Sequence, residues 1–133
     1  MKVSEIMTSD FEMIHSTDSI TDAAGKMKSL NVGILPVQEG TKLVGIITDR
    51  DIVVRALAEG RDPNITQVKD IATSDIIYCF GDDSVEDAAT LMEQNLIRRL
   101  IVTDRDLTPI GIISLGDIAV KTGQERLSGE TLE

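Results

Sequence analysis

The stretch GIITDRDI, Gly45–Ile52, decides the fold, because the chain writes it again as GIISLGDI, Gly111–Ile118. Each copy runs from a glycine through two isoleucines to a hydroxyl residue and places an aspartate three positions later. Working outward, the two copies widen into a duplication of almost the whole chain. At an offset of 65, residues 3–37 pair with residues 68–102 and 13 of 35 pairs are identical. Chance pairing at average residue usage gives roughly two. TSD at Thr8–Asp10 returns as Thr73–Asp75, and DSITDAAGKM at Asp18–Met27 as DSVEDAATLM at Asp83–Met92. One extra residue in the turn TDRDLTP moves the offset to 66, after which six of ten residues match between GIITDRDIVV and GIISLGDIAV.

Periodicity gives each copy the same elements. Ile20, Ala23, Ala24 and Met27 recur at helical spacing, as do Val85, Ala88, Ala89 and Met92, which predicts an amphipathic helix in each copy. The short branched runs GILPV and RLIV then predict a strand, and LVGII and IGII a second strand antiparallel to it. DRDIVVRALAEG and LGDIAVKTG read as closing helices, each ended by a glycine. VSEIM and VKDI read as short helical pieces, and FEMIH and IIYCF as strands, at the head of each copy. The expected organisation is a first repeat over 1–60, a linker over 61–67 holding the Gly and Pro of GRDPNIT, a second repeat over 68–123 and a tail over 124–133. A single copy of this size is marginal alone, so two copies sharing a core are expected.

The chain carries 23 acidic against 13 basic residues, a formal net charge of -10. Such a surface repels nucleic acid and anionic membranes, and the scarcity of aromatics (Phe11, Phe80 and Tyr78) removes stacking platforms for bases. No apolar run has membrane-spanning length. The polar N-terminus MKVSEIMTSD does not read as a signal peptide, and the single cysteine, Cys79, fits a reducing compartment. A cytoplasmic protein is expected, with no nucleic-acid or membrane partner.

Thr48 and Ser114 each end a predicted strand and open a predicted helix, where free backbone N–H groups and the positive helix end favour a phosphate. A hydroxyl there can donate to a phosphate oxygen. A carboxylate three residues on, Asp51 or Asp117, suits the vicinal hydroxyls of a ribose. The same spacing is also a capping box, in which the carboxylate turns back on its own backbone. Ser19 with Asp22 and Ser84 with Asp87 repeat it and are expected to cap only. The residues alone leave both readings open. Arg98 and Arg99 stand where the first copy has Gly33 and Ile34; they read either as a phosphate clamp or as a solvated pair at a strand edge. Arg50 is a second cationic candidate beside simple exposure. The second copy has Leu115 and Gly116 in place of Asp49 and Arg50, so the two sites should differ.

The order helix, strand, strand, helix in duplicate, with DSITDAAGKM, GILPV and GIITDRDI, resembles a tandem pair of cystathionine β-synthase (CBS) domains over residues 1 to about 122. The resemblance implies an α/β (α+β) fold of two βαββα-type repeats related by a pseudo-two-fold axis, with their sheets packed together and clefts between the repeats. It also implies a stand-alone regulatory module, commonly a homodimer, that binds AMP, ADP, ATP or S-adenosylmethionine and transmits occupancy to a partner protein. No cofactor is required, and Mg enters only as the companion of a nucleotide. Thr48 with Asp51 and Ser114 with Asp117 match the family's phosphate and ribose positions, and Arg98 and Arg99 a position where basic residues are common. Candidates for the base pocket are Met13, Ile14, Ile34, Leu35 and Pro36 in one half, and Tyr78, Cys79, Leu100 and Ile101 in the other. The chain departs from the pattern at Ile101, where proline is common, and at Ala72, where a counterpart of Met7 is expected.

Two other classes remain. An enzyme needs a base, a nucleophile or a metal at close range, whereas the chain offers one histidine, His15, one cysteine in an apolar run and no cysteine–histidine cluster. A dimerising interaction module with empty clefts is the second, distinguished by whether Asp51 and Asp117 serve a ligand or only their helices.

Overall fold

The computed structural model describes the backbone of residues 1–132 and side chains through Gly123. It contains two compact units, one formed by residues 12–76 and the other by residues 1–11 with the chain from Ile77 onward. We call them the Thr48 unit and the Ser114 unit.

In the Thr48 unit, β1 (Ile14–His15) runs parallel to β2 (Ile34–Glu39), which is antiparallel to β3 (Lys42–Thr48), giving the order β1-β2-β3. Helix α1 (Ile20–Leu30) joins the parallel strands. Its start is set by Ser19, whose hydroxyl accepts the Asp22 N–H at 3.1 Å, and its end by Asn31 in the left-handed region. Three of the four residues in the stripe expected from periodicity pack: Ile20, Ala23 and Met27 are buried against Ile14, Leu35, Val37 and Ile47, whereas Ala24 faces outward. After β3 a short α2 (Asp49–Asp51) passes into a π-helix over Ile52–Leu57, with the Ala58 N–H donating to the Val53 carbonyl. Gly60, at φ +74°, ends it, a conformation that costs glycine no Cβ clash. Helix α3 (Val68–Ile71) completes the core with Val68 and Ile71.

The Ser114 unit repeats this plan. β4 (Tyr78–Phe80) lies parallel to β5 (Arg99–Thr103), which is antiparallel to β6 (Pro109–Ser114). Helix α4 (Val85–Gln94) is capped by Ser84, and its stripe Val85, Ala88 and Met92 is buried with Cys79, Leu100, Val102, Ile113 and Ile118. Even the irregularities recur: the register of the hairpin shifts between Val37 and Gln38 in one unit and between Val102 and Thr103 in the other.

The compact units cut across the repeat boundaries in sequence. A 3-10 turn at Val3–Glu5 opens the chain, yet its backbone bonds with the second repeat: Val3 N–H to Asp83 O and Ser4 N–H to Gly81 O, both 2.9 Å. Thr8 and Ile112 exchange two backbone bonds of 2.8 and 2.9 Å. The head of the second repeat returns the arrangement in the Thr48 unit, with Val68 N–H to Asp18 O, Lys69 N–H to Ser16 O and Thr73 paired with Ile46. Each repeat's leading segment therefore finishes the other repeat's sheet. The run IIYCF contains a strand only over Tyr78–Phe80 and FEMIH only over Ile14–His15.

One expectation is corrected. The closing helix of the second copy does not stop at Gly123; α5 runs over Leu115–Leu132. Glycine weakens a helix interior by about 1 kcal/mol but stops it only by turning left-handed, as Gly60 does and Gly123 does not. The expected tail over 124–133 is thus helical in backbone as far as Leu132. Its side chains and Glu133 lie outside the described residues.

Candidate functional site

Each unit has a hairpin that delivers a hydroxyl residue to a helix start. Ser114 closes β6 opposite Arg99 of β5, and Leu115 N–H donates to the Arg98 carbonyl at 2.8 Å. These bonds bring Arg98, Arg99 and Ser114 around one open pocket of about 510 Å³, with Leu115, Gly116 and Ala119 as the rest of its lining. Both arginines are exposed, and neither guanidinium has an ion-pair or hydrogen-bond partner among the described residues. The pocket thus combines two uncommitted guanidinium forks, a hydroxyl and the first turn of a long helix, all chemistry that attracts an anion.

Asp117 and Ser114 form a reciprocal capping box. The Asp117 N–H donates to Ser114 Oγ at 3.0 Å, and the Ser114 N–H donates to Asp117 Oδ2 at 3.1 Å. Thr48 and Asp51 do the same, at 3.0 Å in both directions. The capping reading of these positions is therefore realised, but it does not use them up. A hydroxyl that accepts still has its proton to donate, and a carboxylate that accepts on one oxygen keeps the other. The cap also fixes the carboxylate's direction, which a free surface aspartate lacks. At Ser19 and Ser84 the hydroxyl likewise accepts, from Asp22 and Asp87.

The Thr48 site has different surroundings. Ile34 pairs with Thr48, and no cation stands in the arginines' place. Asp49 takes the position of Leu115, its carboxylate so close to Gly33 that a Cβ built there would lie 3.0 Å from Oδ2. Arg50 is exposed, and its N–H donates to Asp49 Oδ1. Arg55 reaches Asp51 instead: its Nε lies 3.8 Å from Oδ1, and its Nη1 donates to the Ile71 carbonyl at 3.3 Å.

Strand alternation sorts the apolar candidates. Ile14, Leu35, Cys79 and Leu100 belong to the packed cores of their units. Ile34 and Pro36 lie on the opposite face of their sheet, as do Arg99 and Ile101 on theirs, in line with Thr48 and Ser114 through the pairs Ile34–Thr48 and Arg99–Ser114. The same face carries Ile46 and Ile112, paired with Pro36 and Ile101. Sequence reading passed over both, although a count of two back from each hydroxyl residue finds them. Met13 is half-buried just before β1, its carbonyl accepting from Lys26 Nζ at 2.6 Å, and Tyr78 stacks edge-on against Phe80.

The other reactive groups stand apart. Burial first, and Asp83 second, push the Cys79 thiol up to about 12, which keeps it protonated and unreactive at neutral pH. His15 is exposed beside the Gln38 amide. Among the described residues no group of three or more His, Cys, Asp and Glu side chains is placed to hold a metal ion. No helix among them is long and apolar enough to cross a membrane.

Comparison with known proteins agrees with this architecture. The family model for the CBS domain matches twice, over residues 3–57 and 68–121. The CBS domain-containing protein YhcV of Bacillus subtilis is 38% identical over 130 residues, covering 98% of this chain and 91% of that protein. Among solved structures, the CBS domain pair of protein MJ0100, in complex with 5-methylthioadenosine and S-adenosyl-L-methionine, superposes with a TM-score of 0.77 at 32% identity, covering 94% of this chain and 98% of the other. Hypoxic Response Protein I with two coordinated zinc ions gives a TM-score of 0.80 at 30% identity, covering 90% and 97%. With a duplicated motif, a repeated sheet plan and a family model matching both halves, the chain belongs to the CBS domain family and carries two copies of the domain.

Proposed function

We propose that the chain is a non-catalytic sensor of adenosine-containing ligands, in which Ser114 with Asp117 and Thr48 with Asp51 hold the ligand and a partner protein reads its presence. The observation that carries this reading is the pocket at Ser114, where two guanidinium groups with no partner among the described residues meet a helix start whose aspartate is held in place by its own cap. A relative of the same fold in complex with two adenosyl compounds supports the ligand class. Charge separates the two sites. Arg98 and Arg99 suit the phosphates of AMP, ADP or ATP, with Mg accompanying the longer ones. Asp49 beside Gly33 disfavours phosphate and suits an uncharged or cationic adenosyl compound such as S-adenosylmethionine.

Isothermal titration of the purified protein with AMP, ADP, ATP and S-adenosylmethionine tests this. Asp117→Ala and Arg99→Ala should abolish nucleotide binding, and Asp51→Ala should spare it. A nucleotide that binds all three variants like the parent protein contradicts the assignment.

A second reading has its own observation. Val53, Val54 and Leu57, on the π-helix, are 55%, 46% and 52% exposed, an apolar group suited to a homodimer contact in a cytoplasmic module that needs no ligand. Light scattering decides it: Val54→Asp with Leu57→Asp should yield monomers if this face dimerises. If, in addition, no adenosyl ligand binds the parent protein, the interaction module replaces the sensor.

A further inference from the structure

The Thr48 unit contains a second cavity, of about 200 Å³, that is not the site at the helix start. It lies beside Gly45, which pairs with Val37, whereas Thr48 pairs with Ile34. The three-residue separation along β3 places it about 10 Å away. Its origin is legible by comparing the two repeats. In the Ser114 unit the equivalent space is filled: Met7 lies over Gly111 so closely that a Cβ built there would meet Sδ at 2.5 Å. The counterpart of Met7 is Ala72, that of Ile110 is Val44, and that of Gly81 is Ser16. The first two changes remove an unbranched thioether chain and one further methyl from the walls. The third adds a hydroxyl to the floor.

That hydroxyl is the second observation. Ser16 is 7% exposed and lines the cavity. Its backbone groups are bonded, to Gln38 O and from Lys69 N–H, but its side chain has no hydrogen-bond partner among the described residues. That hydroxyl opens onto the cavity, so its unused hydrogen-bonding capacity is available to whatever occupies the space. At the rim stand Lys69 and Glu39, both exposed and neither in an ion pair among the described residues.

We propose that this cavity is a ligand site for a small zwitterion with a short unbranched apolar chain, of the class of the amino acids norleucine and methionine. The chain takes the volume that Met7 fills in the other unit, between Ala72 and Val44. The carboxylate meets Lys69 and the ammonium meets Glu39, while Ser16 donates to a thioether sulfur or to a water beneath the chain.

The test is methyl NMR titration of the intact protein with L-norleucine, with pentanoate and pentylamine as its two half-charged fragments, and with L-tert-leucine as the branched control. Norleucine should move the Val37, Val44 and Ala72 methyl signals. Ala72→Met, which installs the side chain the other unit already accommodates, should weaken it at least about tenfold while leaving the rest of the spectrum in place. Lys69→Gln should weaken pentanoate and spare pentylamine, and Glu39→Gln should do the reverse. Should Ala72→Met fail to fold, Val44→Ile narrows the same space and serves in its place. The proposal is overturned if no probe shifts those methyls at millimolar concentration, if the occluding variant binds norleucine unchanged, or if tert-leucine binds equally well.

Discussion

Around Gly111 the Ser114 unit is filled by the side chain of Met7, whereas around Gly45 the Thr48 unit is bounded by the short Ala72 and leaves a cavity. The backbone does not distinguish the two places. Thr8 pairs with Ile112 as Thr73 pairs with Ile46, and the hairpin register shifts at the same position in each copy. Nor do the helix starts differ in their caps. What differs at these places is a few side chains on a matching sheet backbone: Met7 against Ala72, Arg98 and Arg99 against Gly33 and Ile34, Leu115 against Asp49. In this duplicated fold, backbone hydrogen bonding sets where a site lies, and local side-chain volume and charge set what it accepts.

The sharpest way to break that comparison is to add one methyl to each glycine. A Cβ on Gly45 would lie 2.7 Å from the backbone oxygen of Thr73. That oxygen accepts the Ile46 N–H, and Thr73 N–H donates back, both at 2.9 Å, so the clash cannot relax without opening two bonds. Gly45→Ala should cost about 3 kcal/mol, the upper end for overpacking. On Gly111 a Cβ would meet Met7 Sδ at 2.5 Å and Cγ at 2.9 Å, with the Thr8 backbone oxygen further off at 3.0 Å than Thr73 O is from Gly45; the Met7 side chain can turn aside, so Gly111→Ala should cost less, about 1–2 kcal/mol. Urea unfolding midpoints of the two variants give the answer, and equal losses would mean that the two environments are not different in rigidity.

The next pair exchanges the plug. Met7→Ala should destabilise by about 2 kcal/mol, the low end for a methionine truncation because Met7 is only partly buried. Ala72→Met should stabilise by about 1 kcal/mol, as apolar surface in the cavity is covered. If both substitutions destabilise, the cavity at Ala72 is shaped differently from the space that Met7 fills.

Much of this is legible in the sequence. The amphipathic stripes, both hairpins and the glycine at position 60 follow from spacing alone, because helical period and turn chemistry are local. The exchange of leading segments is not, since Val3 bonding to Asp83 and Val68 bonding to Asp18 depend on pairing across the chain that no local pattern encodes. Among the candidate residues, Ser114 with Arg98 and Arg99 can be read from an unlike pair of matched positions, and the three line one pocket. Ile14, Leu35, Cys79 and Leu100 could not be sorted from the lining candidates, because an apolar residue in a short strand reads the same whichever face it takes. The helix through Gly123 was missed because a glycine is a stop signal only when its φ turns positive.

A smaller effect separates the helix ends. Asn31 and Leu96 are matched positions, and both hold positive φ, 55° and 56°. Asparagine tolerates that region, whereas a leucine there is strained by about 1–2 kcal/mol. Leu96 is exposed, so Leu96→Asn should recover about 1 kcal/mol with no packing lost, visible as a higher thermal midpoint. Asn31→Leu should lose a similar amount. An unchanged midpoint in the first variant would mean that the turn after α4 relaxes its strain elsewhere.

The smallest expected change in stability carries the most information about the sites. Ser19, Thr48, Ser84 and Ser114 each accept a backbone N–H three residues on, at 3.0–3.1 Å. Truncating any of them to alanine removes one cap and should cost about 1 kcal/mol. On stability alone the four variants should therefore look alike. They should part on ligand binding, because only Thr48 and Ser114 face the strand end where Ile34 or Arg99 pairs with the hydroxyl residue. Ser19→Ala and Ser84→Ala thus calibrate what a lost cap does by itself, and binding lost beyond that level in Ser114→Ala is the part due to contact with ligand. If Ser114→Ala and Ser84→Ala bind alike, the hydroxyl at the end of β6 serves its helix and nothing more, and the pocket's affinity must rest on Arg98, Arg99 and Asp117.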